Sequence, residues 1–129
     1  MKGMIIKIDF ESEIPIYEQL GRQIIEGIAK GELKKGEQLP SVRQLAEDIG
    51  INLHTVNKVY NILKNEGFLT IDRRKGAMVN NLMPEVTEEF MDFIVRELKF
   101  IIHNSYCRGM GREEFLNICK SIYDELENK

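Results

Sequence analysis

The chain lacks most of what enzymes and disulfide scaffolds are built from. It holds no tryptophan, and only two histidines, two cysteines and three prolines among 129 residues. Cys107 and Cys119 stand twelve apart without a CxxC pairing, so neither a disulfide framework nor a zinc ribbon is expected. They read as reduced core thiols. His103 and Cys107 lie four apart, but two ligands do not make a metal site, and His54 has no second ligand at helical spacing. There is no nucleophile–base constellation, no Gly-rich phosphate loop and no GxSxG, which argues against catalysis. No apolar run approaches the roughly 18 residues of a membrane-spanning helix. Acids follow the short apolar start MKGMIIKIDFESEIP too soon for a secretory signal. The expectation is a cytoplasmic protein with no cofactor, no metal and no membrane partner.

What is present suits a small globular protein: 43% hydrophobic and 30% charged residues, enough for one domain or one domain with an appendage. A net charge of −3 argues against nucleic acid until it is divided along the chain. Residues 1–81 carry 12 basic and 11 acidic side chains, whereas residues 82–129 carry 6 basic and 10 acidic ones. The acidity thus belongs to the tail. A local cationic patch outweighs the whole-chain charge because screening limits electrostatic reach to roughly 8–10 Å at cellular salt.

The organising stretch is residues 39–69, LPSVRQLAEDIGINLHTVNKVYNILKNEGFL. Ser41 can cap a helix, and Gln44 three residues later completes a capping-box pattern. Val42, Leu45, Ala46 and Ile49 recur at helical spacing, and Gly50 stands where a helix would stop. Asn52 can cap a second helix with Val56, Val59, Tyr60 and Leu63 on one face, closed by Gly67. Two helices joined by a few residues, with small Ala46 at their crossing, read as a helix-turn-helix. An ordinary helical hairpin is the alternative. The polar residues Asn52, His54, Thr55, Asn57 and Lys58 gather at the amino end of the second helix, the end that enters a major groove. Arg43 sits beside Ser41, where backbone amides favour a phosphate, or it is simply a surface arginine.

After Gly67 come two β-like runs, residues 68–71 and 77–80, around a basic turn of Arg73, Arg74, Lys75 and Gly76. Two strands with a cationic tip directly after such a helix make a wing, suited to phosphates or the minor groove. Upstream, a first helix should start at Pro15, bury Tyr17, Leu20, Ile24 and Ile28, and end at Gly31. Residues 5–9 read as a short extended segment. These residues resemble the GntR-type bacterial transcription regulators. LPSVRQLAEDIGI followed by HTVNKVYNILKNEGFL is similar to that family's winged-helix signature, and the lead-in IPIYEQLGRQIIEGIAKGELKKGEQLPS, ending in G-x-x-L-P-S, matches as well. The likeness covers residues 14–80, and the short helical remainder resembles the YtrA subgroup. It implies a winged helix-turn-helix over residues 1–81 with a small dimerisation segment over residues 82–129. It also implies that Arg43 approaches a guanine or the DNA backbone, and that the protein represses its own or a neighbouring transporter operon. Leu53 and His54 depart from the proline and asparagine frequent in the subgroup, so base assignments do not carry over.

The tail reads as two amphipathic helices joined at Gly109, Met110 and Gly111, the first opened by Pro84. One carries Val86, Phe90, Phe93, Ile94, Leu98, Ile101 and Ile102, the other Phe115, Ile118, Cys119, Ile122 and Leu126. At roughly 1.5–3 kcal/mol per buried side chain, burying these twelve is worth tens of kcal/mol as an upper bound. Two helices cannot cover both of their own stripes. A homodimer through Phe90, Phe93, Ile94, Leu98, Ile101, Ile102, Phe115, Ile118, Ile122 and Leu126 follows, unless the helices fold back on the winged helix. Any small-molecule effector would sit at the dimer seam. The expected function is a dimeric, mainly α protein with a small β-wing that binds an inverted-repeat operator. The alternative is a winged-helix adaptor that binds proteins and no specific DNA.

Overall fold

Pro15 fixes the entry into α1 (Ile16–Ala29), and its carbonyl accepts from the amides of Glu18 and Gln19 at 3.1 and 3.0 Å. Leu20 and Ile24, a turn apart, form the buried stripe of that helix. Ile28 is partly buried, whereas Tyr17, expected on the buried stripe, is exposed. The computed structural model describes residues 5–128 of the chain. Residues 5–9 run extended but form no strand. Their backbone is held by two glutamines of α1 instead: Gln23 exchanges hydrogen bonds with the Lys7 amide and carbonyl, and Gln19 does so with those of Asp9. Spaced four apart on one helix face, the two side chains do the work of a neighbouring strand.

Helices α2 (Val42–Ile49) and α3 (Leu53–Glu66) form where the caps place them. The Ser41 hydroxyl accepts from the Gln44 amide at 3.0 Å, and the Asn52 side chain accepts from the His54 amide at 2.7 Å. Only half of the expected capping box exists. The Gln44 side chain donates to Asp48 at 2.7 Å rather than returning to Ser41. Gly50 turns the chain at φ +70°, and a methyl group there would meet nothing within 4 Å, so backbone freedom rather than space demands the glycine. Leu45 and Ala46 of α2 are buried with Val56, Val59, Tyr60 and Leu63 of α3, giving these two helices and α1 one shared core.

Strands β1 (Leu69–Asp72) and β2 (Gly76–Val79) pair antiparallel, with Leu69 opposite Val79 and Asp72 opposite Gly76. Each lies one residue from its expected range, because Phe68 is still engaged in closing α3 through its amide on the Leu63 carbonyl at 2.9 Å. A third chain segment joins the pair: Gln38 bridges Met78, with bonds from Gly36 to Val79, Val79 to Glu37 and Leu39 to Ala77.

The chain divides between Pro84 and Glu85. In the second unit α4 (Glu88–Cys107) and α5 (Arg112–Glu127) follow one another through Arg108, Gly109, Met110 and Gly111. The helix expected from Pro84 starts four residues later. Thr87 takes the cap, its hydroxyl accepting from the Phe90 amide at 3.0 Å, with Glu88 and Glu89 in the first turn where the helix dipole favours acids. Val86 therefore lies outside the helix. Neither helix buries a single described residue. Cys107 is exposed and Cys119 half-exposed, so they are not core thiols; this unit has no core to place them in.

Candidate nucleic-acid interface

Apart from Leu53 at its first position, the face of α3 left after burial is polar. His54, Asn57, Lys58, Asn61, Lys64 and Asn65 are all exposed, while Thr55 is half-buried. Two of the expected residues are already occupied by local structure. Asn52 spends its side-chain oxygen on the His54 amide, and Ser41 spends its hydroxyl lone pair on Gln44. Each retains donors for an incoming phosphate. Lys58 is placed rather than free, its ammonium 3.9 Å from the centroid of the Tyr17 ring in a cation–π contact. Asn61 was not anticipated. It recurs one turn after Asn57 and donates to the Asn57 carbonyl at 2.9 Å, leaving its side-chain oxygen open; the 3.6 periodicity of 54, 57 and 61 could have found it.

Residues 37–40 fasten the parts of this surface together. They run beside β2 through the bridge at Gln38, and Pro40 ends the segment directly before the Ser41 cap of α2. The Pro40 carbonyl accepts from the hydroxyl of Tyr60, on α3, at 2.8 Å. One four-residue segment thus ties the amino end of α2, where Arg43 is exposed, to α3 and to the wing. Burial pushes the Tyr60 phenol far above its ordinary value, so it stays neutral and donating. Tyr60→Phe leaves that carbonyl short of its donor and should cost about 1 kcal/mol, measurable by denaturant unfolding. The raised value also sets a pH limit. The unfolded phenol ionises near 10.0 and the folded one does not, so this contribution is intact below pH 10 and is lost as pH rises above it.

At the wing tip Arg73, Arg74 and Lys75 are exposed and Gly76 turns at φ +75°. The carboxylate of Asp72 accepts from the Arg74 amide at 2.6 Å and from the Lys75 amide at 3.2 Å. These backbone bonds, Arg74 first, and the Lys75 charge hold its carboxyl below the usual value. On the other side the Gln38 side-chain Nε2 donates to the Lys75 carbonyl at 2.5 Å. The wing base is tied to the end of α3 by Asn80, which donates to the Gly67 carbonyl at 2.6 Å and receives the Thr70 hydroxyl. Among the described residues no group of three or more His, Cys, Asp or Glu could hold a metal. No described helix is long and apolar enough to cross a membrane.

The comparisons with known proteins bear on the same residues. The family model described as "Bacterial regulatory proteins, gntR family" matches residues 16–79, which run from the start of α1 to the end of β2. The HTH-type transcriptional repressor YtrA of Bacillus subtilis (strain 168) is 37% identical over 124 residues, covering 95% of both chains. Among solved structures, YtrA from Sulfolobus acidocaldarius is 47% identical, with a TM-score of 0.62 over 74% of this chain and 98% of that one. A transcriptional antiterminator from Listeria monocytogenes EGD-e is 28% identical, with a TM-score of 0.86 over 95% of this chain and 92% of that one.

Proposed function

The chain belongs to the gntR family of bacterial regulatory proteins and is a DNA-binding transcriptional regulator, and from that premise we propose how it binds and what it controls. Residues 1–81 form the DNA-binding unit and residues 82–129 the pairing unit of a homodimer. The amino end of α3 enters a major groove with His54 and Asn57 toward base edges, and Thr55, Asn52 and Lys58 toward phosphates. Ser41 and Arg43 at the start of α2 meet the backbone, and the turn of Arg73, Arg74, Lys75 and Gly76 lies on flanking phosphates or in the minor groove. The observation that carries this is the capped, solvent-exposed amino end of α3, fastened through residues 37–40 to a cationic hairpin. An enzyme is not expected from a family of regulators, and the protein acts in the cytoplasm.

Dimerisation is supported by apolar surface. Phe93 is 45% exposed, Ile101 46%, Ile118 46% and Ile122 53%. On α4 the exposed apolar residues include Phe90, Met91, Val95, Phe100 and Ile102 besides these, spread over more than half of the helix circumference at about 100° per residue. A helix packed on one neighbour carries an apolar stripe of only roughly 100°, so a single neighbouring helix leaves much of this surface uncovered. A second copy offers the same unsatisfied faces, and isologous pairing presents two reading helices to an inverted repeat. The name of the Bacillus subtilis relative favours repression. Any effector would bind at the seam between copies.

The test is selection of bound genomic fragments followed by footprinting. An inverted repeat protected at both halves, close to the gene itself or to a transporter operon, is the expected result. Negligible affinity for every fragment at low salt would instead favour a protein-binding adaptor.

A further inference from the structure

Asp72 stands in the wrong place for a phosphate-binding tip. It places a carboxylate directly beside Arg73, Arg74 and Lys75, where it offsets one of their charges and repels DNA. Geometry accounts for its presence. Both polar groups of the Lys75 backbone are held, the N–H by Asp72 at 3.2 Å and the carbonyl by Gln38 at 2.5 Å, and the Arg74 N–H is held by Asp72 at 2.6 Å. Gln38 is itself fixed by its bridge to Met78, so the clamp closes from both sides of the hairpin. We infer that Asp72 and Gln38 are positioning residues for DNA binding: they order the cationic turn before DNA arrives, so that binding does not bear the cost of ordering it. An exposed turn without such bonds loses backbone entropy at every residue when it is fixed.

The inference rests on the reading that the wing tip touches DNA, and the two can fail separately. The full chain is titrated onto a fluorescent random-sequence duplex at low salt, where sequence-independent phosphate contacts dominate. Arg74→Ala should weaken binding; if it does not, the tip does not touch DNA and both ideas fall. Asp72→Asn keeps an oxygen that accepts both amides and removes the charge, so it should bind as tightly as the unmodified protein or more tightly. Asp72→Ala removes the same charge and the clamp, and should bind about three- to tenfold more weakly. Gln38→Ala should shift binding the same way. A purely electrostatic Asp72 predicts the opposite sign, with Asp72→Ala at least as tight as Asp72→Asn; that result overturns the inference while leaving the wing contact standing. Should Asp72→Ala not fold, the amide resonances of Arg74 and Lys75 in the unmodified protein provide a second readout. They should move together as Asp72 titrates, and indifference to that titration refutes the clamp.

Discussion

Ile101→Asp combined with Ile118→Asp should turn a dimer into a monomer and weaken operator binding by about a hundredfold or more. Both isoleucines are 46% exposed in the single chain, so an aspartate at either site stays solvated and the protomer should fold as before. In the proposed dimer the same carboxylates would be driven into an apolar seam without partners, at a cost of several kcal/mol each. The variant thus separates pairing from folding. Affinity follows because two reading units on one molecule bind the second half-site at a linked, roughly millimolar effective concentration, which a monomer forfeits. Light scattering coupled to size exclusion reads the mass and a titration onto operator duplex reads the affinity. An unmodified protein that is monomeric at micromolar concentration sinks the proposal, as does a variant that stays paired.

How far the sequence reveals this molecule depends on how local each determinant is. Ser41, Gly50, Asn52 and Gly67 mark their helix ends within four residues of the groups they satisfy, and α2 and α3 begin and end where those residues stand. The sequence points to Pro84 as the start of α4, but the helix opens four residues later. Thr87 prevails because its oxygen satisfies an amide of the first turn, which proline cannot do. Determinants that act across the chain left no local trace. Gln38 meets Lys75 at a separation of 37 residues and Tyr60 meets Pro40 at 20, and nothing in either stretch names its partner. The same holds for Lys58 on Tyr17, a contact between two different helices that composition alone would give to solvent. The exposed polar face of α3 and the cationic turn were therefore legible in their residue types, while the bonds that stiffen them were not.

Those bonds matter because the two halves of the surface should answer differently to mutation. His54 and Asn57 stand exposed on α3 with side chains capable of one or two hydrogen bonds to base edges. Removing either should cost about 1–3 kcal/mol on the operator, a five- to 150-fold loss, and little on random duplex. Arg74 sits exposed on the hairpin tip, where in the proposed complex a guanidinium would meet phosphates whatever the sequence. Arg74→Ala should weaken operator and random duplex alike and reduce the slope of log affinity against log salt by about 0.9, one counterion's worth. Titrations of the three single variants on both duplexes, across a salt series, separate base reading from phosphate contact. If His54→Ala and Arg74→Ala act alike on both DNAs, α3 is not the reading helix, and the exposed amino end behind Asn52 needs another explanation.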